Sequence, residues 1–241
     1  MQAEYLSRLS LDIRSLAEEV ERASGVEVVV RVAPERARNL TDQSAPLACE
    51  ANPNGAELLI PSPDYFPDGS VLHELLHVRR FLVEGVPRLV DCGAYEPWSP
   101  HIRTRLTRHD NSIEHLIIVP EELMRRPERG EHWERVMKRI WKELAVEGLC
   151  EVDRRQAALA NWCFIQHVLP DSDVLTCAWV VLGHFGLGDS AQRFSEALIP
   201  VLSSKEMAVR VWCEHLGVPL EMAALEYINT HNGTSTEVSL V

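Results

Sequence analysis

The chain has 241 residues, 46% of them apolar and 25% charged, with a formal net charge of −12. This length and balance allow a substantial core and exclude a disordered chain, a collagen-like repeat and a small disulfide-stapled fold. The acidic surface argues against nucleic acid as a partner, since phosphate backbones repel it.

Two arginine groups, Arg103, Arg105, Arg108 and Arg125, Arg126, Arg129, are interrupted by acidic residues and histidines and read as a solvated face. The first twenty residues are amphipathic and lack the apolar core of a signal peptide. The longest apolar stretch, Val174 to Val181, falls far short of the ~20 residues that span a bilayer. The expectation is a soluble, cytoplasmic protein without a membrane partner. Six widely spaced cysteines (Cys49, Cys92, Cys150, Cys163, Cys177, Cys213) with no C-x-x-C pair read as reduced thiols.

In chain order, Leu6, Leu9, Ile13, Leu16 and Val20 recur at helical spacing and predict an amphipathic helix over 4–23, stopped by Ser24-Gly25. Val26 to Val32 is a β-branched run and predicts a strand. A loop is expected over 34–46, with room for a short helix in its first part. Leu47 to Ala51 and Ala56 to Ile60 flank Asn52-Pro53-Asn54-Gly55, a hairpin signal. A helix over 69–83 follows, with Val71, Leu75, Val78 and Leu82 as its stripe, and Gly85-Val86-Pro87 ends it. Residues 86–109 read as a long loop with room for one short helix. Beyond Asn111 the pattern is almost wholly helical: 111–119, 121–126, 131–148, 152–168, 172–185, 190–202, 205–216 and 219–229. Trp133, Trp141, Trp162, Trp179 and Trp212 fall at helical spacing and read as core. The tail from 231 to 241 is polar and expected to be flexible. The fold class expected is α+β: a small mixed sheet packed on one helix (1–110), then a helical part (111–230).

One motif carries chemistry. His73-Glu74-Leu75-Leu76-His77 places two imidazoles four residues apart on one helix face, within reach of one metal ion. Zinc suits neutral imidazole, and a catalytic zinc site takes three protein ligands and leaves one position open. Glu74 lies about 100° around the helix from His73, beside the attacking water instead of on the metal, where it can act as general base.

On Val71-Leu72-His73-Glu74-Leu75-Leu76-His77, preceded by a strand pair, the chain resembles the zincin metallopeptidases. The resemblance covers about 26–119 and implies a sheet whose edge strand pairs with an extended substrate; Ala56 to Ile60 is the matching segment. The metzincin extension is absent, because Val78-Arg79-Arg80-Phe81-Leu82-Val83 follows His77. The gluzincin-like branch implies a glutamate ligand on a later helix, and Asp110-Asn111-Ser112-Ile113-Glu114-His115 is its best match. Glu114 is the expected third ligand; the alternative is a capping box in which Asn111 is the N-cap and Glu114 reaches back. His115 is the runner-up ligand, or else a hydrogen-bond donor to the oxyanion.

Softer candidates are Glu84, seven residues beyond His77 on the same helix face, His101, His109 and Tyr95 in the expected loop, and Asp110 as an orienting partner for a ligand histidine. The function expected is a zinc-dependent metallopeptidase acting on a protein or peptide substrate. His73, His77 and Glu114 are its ligands, with Glu74 as base and His115 assisting. The alternative is a zincin-like binding or regulatory protein with a vestigial or structural metal site.

Overall fold

The computed structural model describes residues 1–35, 47–93, 95, 96, 98–146, 148 and 150–241. The loop expected over 34–46 lies almost wholly outside them. Among the described residues the chain is mixed α and β, with two small sheets, and no helix is long and apolar enough to cross a membrane. It divides into two compact units: Met1–Arg88 with Glu226–Val238, and Leu89–Leu225 with Ser239–Val241. The division therefore falls near residue 88, where 110 was expected, and a C-terminal segment belongs with the first unit.

In the first unit, α1 (Ala3–Leu6) and α2 (Leu11–Ser24) occupy the single helix expected over 4–23. Gly25 ends α2 in the left-handed conformation (φ 74°), which suits a residue without Cβ. Strands β1 (Val28–Val32), β2 (Ala48–Asn52) and β3 (Gly55–Ile60) form a sheet in the order β1-β3-β2. β1 runs parallel to β3, with Val30 opposite Leu58. β2 and β3 are the expected hairpin, with Asn52 opposite Gly55 across a two-residue turn. The order corrects one expectation: Ala56 to Ile60 lies in central β3, and the edges belong to β1 and β2. Its apolar residues fit that place, since Ala56, Leu58, Leu59 and Ile60 are all buried.

The outer edge of β1 is closed by side chains. The Gln2 amide accepts from Val30 N–H and donates to Val30 C=O, both at 2.9 Å, and Glu21 accepts from Val28 N–H at 2.9 Å. Helix α3 (Asp68–Leu82) packs on α2, β2 and β3. Val71, Leu72, Leu75, Leu76 and Val78 are at most 1% exposed. At ~1.5–3 kcal/mol per buried aliphatic side chain, this stripe seats the helix.

Residues 86–109 are not a loop. They hold β4 (Arg88–Asp91) and the start of α4, which runs unbroken from Pro100 to Arg125. Pro100 stands in the first turn, where its missing N–H costs nothing. Pro120 lies inside the helix and does not end it, although the sequence reading broke there. In the second unit, α5 (Arg129–Leu144), α6 (Glu151–Val168), α7 (Val174–His184), α8 (Gly188–Leu198) and α9 (Lys205–Leu216) follow. Helix α6 touches all the others from α4 to α9. Trp133, Trp141, Trp162 and Trp212 are buried as expected, but Trp179 is 49% exposed and lies against Trp162.

The helix expected over 219–229 is instead a 3-10 turn followed by β5 (Ala223–Asn229), and the tail expected to be flexible carries β6 (Thr234–Ser239). β4, β5 and β6 form a sheet in that order. Ladder pairing outweighs the helix propensity of Ala223-Ala224-Leu225-Glu226.

Candidate metal centre

Helix α3 carries His73 and His77 on one face. Both are buried, their ring centroids are 5.1 Å apart, and the planes cross at 80°. His77 also stacks on Phe81 one turn later (6.1 Å, 22°), which restricts its rotamer. Glu74 is buried, and its Oε2 accepts the backbone N–H of Cys49 on β2 at 2.9 Å. Burial, then the Glu74 carboxylate, push the Cys49 thiol well above its usual range, so it stays protonated.

The expected third ligand, Glu114, lies wholly buried on α4, where Lys205 Nζ donates to its Oε1 at 2.6 Å. The same ammonium lies 2.6 Å from Asp110 Oδ1, which also accepts Leu89 N–H at 2.9 Å. Burial alone would push Lys205 down; the two carboxylates outweigh that and hold it above its ordinary value. Asp110 is thus engaged by Lys205 and by backbone. Asn111 stands eleven residues inside a helix that starts at Pro100, so the capping box has no helix start to cap.

His115, one residue on, is half-buried and meets the Trp133 ring edge-on at 5.3 Å. Trp133 is fixed in turn. It packs on Phe164 at 5.3 Å, and its indole N–H donates to Glu122 at 3.2 Å. Glu122 is buried and paired with Arg129 at 2.5 Å. His73, His77 and His115 form a group that could hold a metal ion: each offers one ligand atom, and these lie within 4.8 Å of one another.

The remaining candidates lie elsewhere in chemistry. Glu84 pairs with Arg79 (2.8 Å) and Arg80 (3.3 Å) at the end of α3. His101 is exposed, and Tyr95 is half-buried. His109 is buried against Trp212 (5.8 Å), and burial, with Arg105 and Arg108 adding, pushes it down to about 4. All six cysteines are free thiols.

Sequence reasoning missed Lys205 and the Cys49 amide. Only Lys205 left a signal: it occupies the first turn of α9, where the helix dipole disfavours a cation, so a local acidic partner is required. No protein-family model, curated protein or solved structure matches this chain.

Proposed function

We propose that this chain is a zinc-dependent metallopeptidase in which His73, His77 and His115 hold the ion and Glu74 is the general base. The observation that carries the reading is the three-histidine group, with Glu74 next to its first member in sequence. Three neutral imidazoles are a donor set that zinc favours, and they leave its double positive charge uncancelled by any ligand. A zinc ion bound there would lower the pKa of the attacking water and polarise the scissile carbonyl. Glu74 would take that water's proton and deliver it to the leaving amine. The Cys49 N–H holds its Oε2.

Replacing the expected Glu114 by His115 keeps the functional reading and moves one ligand by one residue. Glu114 then has a separate part, neutralising Lys205 beneath the helix that carries His115. A missing third ligand would favour the alternative of a vestigial site, and the presence of His115 in the histidine group argues against it. The experiment is Glu74→Gln: zinc content is retained and hydrolysis of a proteome-derived peptide library falls by ~10²–10⁴-fold, the usual contribution of a positioned base. Hydrolysis at the wild-type rate in that variant refutes the mechanism.

A further inference from the structure

The hydrogen bond from Cys49 to Glu74 has a direction that the strand pattern explains. Ala56 N–H donates to Glu27 C=O on the β1 side, so the even residues of β3 bond toward β1 and the odd ones toward β2. Glu50 lies opposite Glu57, and Asn52 opposite Gly55. The alternation of an antiparallel pair then turns the N–H and C=O groups of Cys49 and Ala51 away from β3. These are the groups that an added antiparallel strand would use. Two are already taken: Cys49 N–H by Glu74 Oε2 at 2.9 Å, and Ala51 C=O by the Arg88 guanidinium at 2.7 Å. Arg88 is itself held by Glu226.

From this we infer that the outer edge of β2 is a positioning element for the base and not a seat for antiparallel strand addition: the Cys49 backbone N–H fixes the Glu74 carboxylate, and Arg88 closes the edge two residues on. The inference deepens the peptidase reading and rests on it for the word base. An amide donor on a carboxylate holds the last side-chain torsion, so the carboxylate plane keeps one direction. The group that does this is backbone, which is why no side-chain pattern in the sequence announces it. An extended substrate that pairs with β2 as an antiparallel strand would have to displace the base from its own anchor.

The test has two arms. The first needs no activity. In the zinc-loaded full chain, exchange of the Cys49 amide with solvent, read by NMR, accelerates about tenfold or more in Glu74→Ala, as for an edge amide that has lost its acceptor. An unchanged Cys49 rate overturns the inference. The second arm is Cys49→Pro, which deletes an N–H that the β2–β3 ladder does not use, a site where a strand tolerates proline. On the same peptide library kcat falls about tenfold or more with KM nearly constant, and Cys49→Ala, which keeps the N–H, restores kcat. A folded Cys49→Pro protein with wild-type kcat overturns the inference. A wild-type protein that binds zinc and hydrolyses nothing refutes the peptidase reading, and the amide-exchange arm still decides whether Cys49 anchors Glu74.

Discussion

Substituting Glu114 and His115 one at a time separates the two possible third ligands, because the structure gives these neighbours opposite duties. Glu114 is fully buried and bonded to Lys205 at 2.6 Å, whereas His115 is half-buried and belongs to the histidine group. A four-ligand structural zinc site is worth ~10–16 kcal/mol, or ~2.5–4 kcal/mol per ligand. At ~1.4 kcal/mol per factor of ten, losing one ligand weakens zinc binding by ~10²–10³-fold. His115→Ala should show that loss in competition against a chromophoric chelator, while the metal-free protein loses only ~1 kcal/mol in urea unfolding. Glu114→Gln should reverse the pattern. Zinc affinity stays within about tenfold, the size of an indirect effect. Stability falls by ~2–4 kcal/mol, because Lys205 keeps only Asp110 as a carboxylate partner. If Glu114→Gln weakens zinc by two orders of magnitude and His115→Ala leaves it unchanged, the ligand assignment made here is wrong.

Lys205→Met leaves Asp110 and Glu114 facing each other in the interior without their cation, and should cost ~3–5 kcal/mol in urea unfolding; a loss under ~1 kcal/mol would show that the triad is not coupled. Acid sensitivity should trace in part to His109. Its pKa is about 4 in the folded protein, against ~6.5 in an unfolded chain. Between these values the unfolded state binds the proton, so the contribution is complete above pH ~6.5 and is lost as pH falls toward 4. It amounts to ~3 kcal/mol at most, and His109→Phe, which keeps a ring against Trp212, should flatten the stability profile over that window. An unchanged slope in His109→Phe would assign the acid sensitivity to other groups.

The metal pair was legible because it depends only on helical spacing. His73 and His77 sit four apart in a segment whose apolar stripe leaves no doubt about its period. The hairpin was legible for the same local reason, through the turn residues between Asn52 and Gly55. Strand order was not, because β1-β3-β2 follows from which apolar run can be covered on both faces, and that is a tertiary fact. The long helix was broken in the reading at Pro120 and begun too late at Asn111. Its first ten residues, Pro100 to His109, carry few apolar positions, Ile102 and Leu106 among them. The choice between Glu114 and His115 was not legible for a related reason. Local pattern places both near the required position. Lys205, ninety-one residues away, donates to the Glu114 carboxylate, while His115 joins the histidine group.

On both flanks of the first sheet side chains occupy edge backbone groups: Gln2 and Glu21 along β1, and Glu74 and Arg88 along β2. Bare sheet edges are templates on which copies of a chain stack into fibrils, and sequences usually blunt them with lysines, prolines or bulges. Here a proposed catalytic group serves as one of the plugs. Selection against self-association and selection for chemistry then act on the same carboxylate, so a chain that lost Glu74 would become both inert and more prone to aggregate.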